Sequence, residues 1–197
     1  MENVSLKDAT EDLTLTDVGH ILLAPLDSEF PDLSKFVFGQ ESTYGAFKWF
    51  GDTSAENLPE FEVEGGEVTS RRTFDRKGQR NQRADRTYTG TFNAVVRNKE
   101  FFEATVGGGE WDEAKKAFIT KSDSYAKECM MLIVEEDGEW ISGLGLYKVS
   151  LLSGFAKTDL ENFKEVPVSV AISADSQNRI KADFEPRKKA PAVTPAG

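Results

Sequence analysis

His20 and Cys129 are the only histidine and the only cysteine in the 197-residue chain, so nucleophilic or general-base chemistry has one imidazole and one thiol to draw on. His20 follows Gly19 at the start of a predicted strand, and no nucleophile motif accompanies it. A structural or exposed role therefore outweighs catalysis. Cys129 lies between Glu128 and Met130 on another predicted strand, where a buried, inert thiol is the ordinary outcome and a reactive one needs basic surroundings. One residue of each kind leaves neither an intramolecular disulfide nor a cysteine/histidine zinc site within one chain. Gly107-Gly108-Gly109 has neither the lysine of a P-loop nor a helix starting where a phosphate would sit, so it reads as a helix stop. Acid pairs such as Glu62/Glu64 and Glu135/Glu136 are too common in an acidic chain to identify a glycosidase pair, and no EF-hand loop is present. These residues point away from an enzyme, and no metal or cofactor is expected.

Charge carries more information. The formal net charge is -10, which opposes adhesion to nucleic acid or to an anionic membrane. The distribution is uneven: residues 1–64 hold fourteen acids and three bases, whereas residues 65–97 hold three acids and eight bases. The basic stretch Arg71, Arg72, Arg76, Lys77, Arg80, Arg83 and Arg86 has two readings, a solvated hairpin or loop, and a surface that docks on the acidic 1–64 region of another copy. Nucleic-acid binding fits less well, because Asp75 and Asp85 interrupt the bases and stacking aromatics are few.

These residues must be positioned by strands. Val18 to Leu26 reads as a strand, and Glu60 to Glu64 as a short one whose dry face carries Phe61 and Val63, ended by Gly65-Gly66. From Ala84 to Val96 the alternation has period two and predicts a long strand. Asn98 is placed to cap a helix over 99–106, with Phe102 and Val106 inward. Asp137-Gly138 between two apolar segments predicts a hairpin joining 128–135 to 139–149. Val166, Val168, Val170 and Ile172 predict one more half-buried strand. Between Asp27 and Gly51 lie Phe30, Phe36, Phe38, Tyr44, Phe47, Trp49 and Phe50, an aromatic load that needs burial in this subunit or a neighbour. The expected class is mainly β, a β-sandwich or barrel with one short flanking helix. The expected organisation is a polar N-terminal arm over 1–17, one domain over 18–175 and a flexible C-terminal tail over 176–197. The start of the chain lacks the basic patch and apolar run of a signal peptide, and no apolar run is long enough to span a bilayer. A soluble protein made in a cytosol is expected.

The run from Trp49-Phe50-Gly51-Asp52 through Leu58-Pro59-Glu60-Phe61-Glu62-Val63-Glu64-Gly65-Gly66-Glu67 resembles the major tail proteins of long-tailed, flexible-tailed bacteriophages, particularly those infecting mycobacteria and related hosts. The early Gly19-His20-Ile21-Leu22-Leu23-Ala24-Pro25-Leu26, the later Thr73-Phe74-Asp75 and the strand from Thr87 to Val96 also sit in the order expected of that family. The resemblance covers residues 18–100. It implies a tail-tube subunit in the virion, assembled in the host cytoplasm into stacked, hexameric rings around a tape measure protein. Tail-end proteins are further partners, DNA passes without specific binding, and no membrane is involved. Under this reading Arg71, Arg72, Arg76, Lys77 and Arg80, with Phe47, Trp49 and Phe50, are candidates for contact between subunits, as is the N-terminal arm. The alternative is a monomeric β-sandwich binding module or a virion decoration protein.

Overall fold

Gly138 adopts φ 55° at the tip of the predicted hairpin, the left-handed conformation that a tight turn between paired strands requires. The computed structural model describes residues 16–71, 80–158 and 163–189, with 69–71 and 80–83 described by backbone alone. The described chain is mainly β. Its strands are β1 (Val18–Ala24), β2 (Lys48–Trp49), β3 (Glu60–Gly65), β4 (Val68–Arg71), β5 (Arg80–Arg83), β6 (Arg86–Ala94), β7 (Glu110–Asp112), β8 (Ala117–Ile119), β9 (Lys127–Asp137), β10 (Trp140–Ser153), β11 (Val166–Ile172) and β12 (Lys181–Lys188). Among the described residues a single α-helix, α1, spans Lys99–Thr105. The main sheet has the order β2-β1-β9-β10-β11-β6-β3, with β12 beside β10.

The chain divides into two compact units. The first comprises residues 1–52, 128–148 and 175–197, and the second residues 53–127 and 149–174. In the first unit β1 pairs antiparallel with β9, setting Leu22 opposite Leu132 and Ala24 opposite Met130. Residues 130–134 are buried without a break, so both faces of β9 are covered rather than one. Leu33, Phe36, Tyr44 and Phe47 close over Leu22, Leu132 and Ile141 to form the core. Much of the aromatic load is thus buried within its own subunit.

The expected C-terminal tail over 176–197 contains β12. Residues 181–188 form a strand that pairs antiparallel with β10, Leu144 opposite Asp183 and Gly145 opposite Ala182. Ala182, Phe184 and Pro186 are half-buried while their neighbours are exposed, an alternation that the surrounding charge obscures. Phe184 meets Phe30 edge-on at 5.6 Å. Gly145 makes this possible, since a Cβ there would run into both rings.

In the second unit β11 lies between β10 and β6. Val168 faces Phe92, Val166 faces Ala94 and Val170 faces Gly90, and the alternate valines are buried. Phe61 of β3 pairs with Gly90, and a Cβ on Gly90 would overlap the phenylalanine ring. An aromatic over a glycine shields strand backbone that has no side chain of its own. The rest of the expected dry face of β3 is absent, because Val63 is 59% exposed. As an edge strand with a neighbour on one side only, β3 has too little covering to bury it.

Asn98 caps α1 as predicted, its side-chain oxygen accepting from the Phe101 N–H at 2.9 Å. Val106 is inside as expected, but the buried ring is Phe101, with Thr105, rather than Phe102. Phe101 and Thr105 are four residues apart and share a face. Phe102 is half-buried and stacks instead on Phe118 of β8 at 5.4 Å.

Candidate assembly surfaces

At the two ends of the basic stretch, β4 and β5 pair antiparallel beyond the end of the β3–β6 pair. Gly65 and Gly66 take φ 80° and 78°, and the Ala84 N–H donates to the Glu67 carbonyl at 3.0 Å. The two glycines turn the chain out of β3 and into β4. A Cβ on Gly65 would overlap the Asp85 carbonyl, so the opposing strand can approach only a glycine here. In the β4–β5 ladder Arg71 stands opposite Arg80 and Val68 opposite Arg83. Arg72, Arg76 and Lys77 lie outside the described residues.

At the base of this hairpin the chemistry reverses. Glu60 pairs with Thr91 and Glu62 with Thr89, and Ser169 and Ala171 continue the same two rows on β11. These six residues line a shallow groove of about 370 Å³. Carboxylates and hydroxyls make this face repel phosphate while remaining fully hydrated.

Of the three aromatics expected at an interface, Phe47 and Phe50 are 2% and 8% exposed and lie inside their own chain. Trp49 is 43% exposed and meets Phe38, equally exposed, edge-on at 5.4 Å. Phe38 in turn stacks on His20 at 3.8 Å with ring planes 7° apart. His20 is buried, with Nε2 3.8 Å from Glu136. Lys189 donates to the other oxygen of that carboxylate at 2.5 Å. Burial pushes the imidazole below its ordinary 6.5; Glu136 opposes that shift and Lys189 adds to it. The imidazole thus supports an exposed aromatic pair. Cys129 is half-buried rather than buried.

Two further exposed aromatics escaped sequence reasoning. Phe155 and Phe163, in the connection from β10 to β11, are 97% and 79% exposed, and Leu152 nearby is 47% exposed. A phenylalanine in a polar segment carries no sequence signal of whether it turns inward. Among the described residues, no three histidine, cysteine or acidic side chains are grouped as metal ligands, and no helix is long and apolar enough to cross a membrane.

No curated protein matches the chain. A family model described as phage tail tube protein matches residues 9–181.

Proposed function

The chain belongs to the phage tail tube protein family, and from that premise we propose that its copies close into stacked six-fold rings around a bore through which the genome leaves. The observation that carries this reading is the extent of the match, which runs through residues of both units and stops short only at the two ends. A tube built from one chain needs heterologous contacts that close within a ring and others that repeat along the axis. The basic β4–β5 hairpin, the exposed Phe38–Trp49 pair and the N-terminal arm are the surfaces assigned to these contacts. Complementary charge favours the basic segment of one copy against the acidic 1–64 region of another.

The bore is assigned to the face carrying Glu60, Glu62, Thr89, Thr91, Ser169 and Ala171. A wall of carboxylates and hydroxyls offers phosphates no cation with which to exchange counterions, so DNA slides rather than sticks. A tape measure protein and tail-end proteins are the further partners of this reading, with assembly in the host cytoplasm. Sedimentation of the purified protein at rising concentration tests it. A step from monomer to ring-sized and larger species is the expected result, and a single monomeric boundary throughout contradicts it.

A further inference from the structure

The ring beneath the exposed aromatic pair is the one side chain of the molecule that can change charge near neutral pH. On β1, His20 shares a face with Leu22, and Val134 of β9 stands opposite it. Phe36 and Phe38 come over it from the segment between β1 and β2. Phe38 lies parallel to the imidazole at 3.8 Å, and Phe36 is tilted at 6.3 Å. Trp49 of β2 meets Phe38 edge-on, so the placing of the pair depends on what His20 offers Phe38 from below.

Two charged groups act on the imidazole. Glu136 of β9 has Oε1 3.8 Å from Nε2. Lys189, just past β12, donates to Oε2 of that carboxylate at 2.5 Å and to the Gly138 carbonyl at 3.1 Å. Other charges on the surrounding elements are directed elsewhere. Glu135 pairs with Gly19 and Lys48 with Leu23, so these two, like Asp137, alternate to the other face of their strands. Arg187 reaches toward Asp32, and Lys188 lies over Trp140. Asp17, Lys35 and Glu41 are exposed.

An uncharged imidazole suits this arrangement, with its flat face on Phe38 and the nearby carboxylate already paired with an ammonium. An imidazolium does not. A buried cation calls for an anion at hydrogen-bond length, and from the stacked position Nε2 must close on Glu136 by about 1 Å to reach one. Such a charge-assisted hydrogen bond outweighs the attraction of a cation to a half-exposed phenylalanine ring. Burial keeps the imidazole pKa below 6.5, with Glu136 raising it and Lys189 lowering it, so the stacked form favours the uncharged ring.

We propose that His20 is a pH-operated latch for the Phe38–Trp49 pair: uncharged, it holds Phe38 in the stack, and on taking up a proton it turns toward Glu136 and leaves the pair without support. The pair is one of the surfaces assigned above to subunit contact, so acid weakens that contact. This consequence rests on the tube reading; the latch itself does not.

The latch is tested by the nuclear Overhauser effect between the ring protons of His20 and Phe38, followed through the imidazole titration below the concentration for assembly. It should be strong above the midpoint and lost below it. The effect between Phe36 and Tyr44, whose rings stack at 5.0 Å in the core, should persist and show that the fold is intact. Glu136→Leu removes the anion to which the charged ring turns, so in this variant the His20–Phe38 effect should survive protonation. An effect that is unchanged through the wild-type midpoint, or that is lost on protonation in Glu136→Leu with the Phe36–Tyr44 effect retained, overturns the latch. Sedimentation reads the consequence for assembly. Between about pH 7.5 and one unit below the midpoint, the concentration for assembly should rise by at least about tenfold more in wild type than in His20→Gln. Equal pH dependence in the two proteins overturns the control of assembly and leaves the tube reading standing. Wild-type protein that never self-associates overturns the tube reading, and the Overhauser measurement then decides the latch by itself.

Discussion

Asn93 of β6 donates its side-chain amide to the Glu165 carboxylate at 2.6 Å, tying the inner end of one strand to the loop that leads into its neighbour β11. Asn57 donates to the same oxygen. Hydrogen bonds from Ser54 and Asn93, the two largest causes, hold the Glu165 carboxyl below its usual range; burial opposes them, and the Asn57 hydrogen bond and the charge of Lys157 add to the lowering. A carboxyl whose folded pKa is depressed adds stability that is present above its unfolded value and lost as pH falls through the folded one. Thermal unfolding between pH 6 and about pH 3 should therefore show a steeper loss for wild type than for Glu165→Gln. Asn93→Ala should cost about 1 kcal/mol at neutral pH.

His20 supplies the second pH dependence, with its own sign. Burial, the largest cause, lowers the imidazole pKa from 6.5, Glu136 raises it and Lys189 lowers it further. The unfolded chain therefore takes up a proton before the folded chain does. Stability is full above pH 6.5 and falls as pH drops from there toward the folded pKa. Because this is the only histidine, one imidazole resonance in an NMR titration reports the folded value without assignment, and its midpoint should lie below 6.5. His20→Gln should flatten the stability profile in that window.

Gly90 is required by the ring that lies on it. Gly90→Val would drive a side chain into Phe61 and the Glu60 carbonyl, and edge strand β3 has only β6 to hold it. A loss of about 1–3 kcal/mol is expected from overpacking, read as a lower denaturant midpoint. Phe61→Ala in the same background should recover part of it.

Reversing the hairpin's charge separates assembly from folding. Arg71→Glu/Arg72→Glu/Arg76→Glu should leave the circular dichroism and the unfolding midpoint of the monomer close to wild type. It should raise the concentration needed for assembly by at least about tenfold. Normal assembly of this variant would remove the hairpin from the set of contact surfaces.

Local signals made much of the fold legible. Asp137-Gly138 announced the β9–β10 hairpin, Val166, Val168 and Val170 announced the buried face of β11, and Asn98 announced the start of α1. Elements that depend on a distant partner were harder to see. β12 carries Lys181, Asp183, Glu185, Arg187 and Lys188, so its composition resembles a tail, and only the pairing with β10 and the Phe30–Phe184 contact make it a strand. The choice of Phe101 over Phe102 as the buried ring was likewise set by what packs on the helix.

The candidate surfaces follow the same division. Sequence placed the arginine cluster and the aromatic segment, because charge and aromatic content are properties of composition. It did not separate Phe47 and Phe50, which complete the interior, from Trp49, which stays at the surface. Nor did it mark Phe155 and Phe163, since exposure is decided by the backbone that carries a ring and not by the ring itself.

Negative-stain electron microscopy of the purified full-length protein at rising concentration tests the central claim most directly. Rings that give way to hollow tubes of one uniform diameter are the predicted result. Featureless single particles at every concentration, with no ring or tube, would contradict the account.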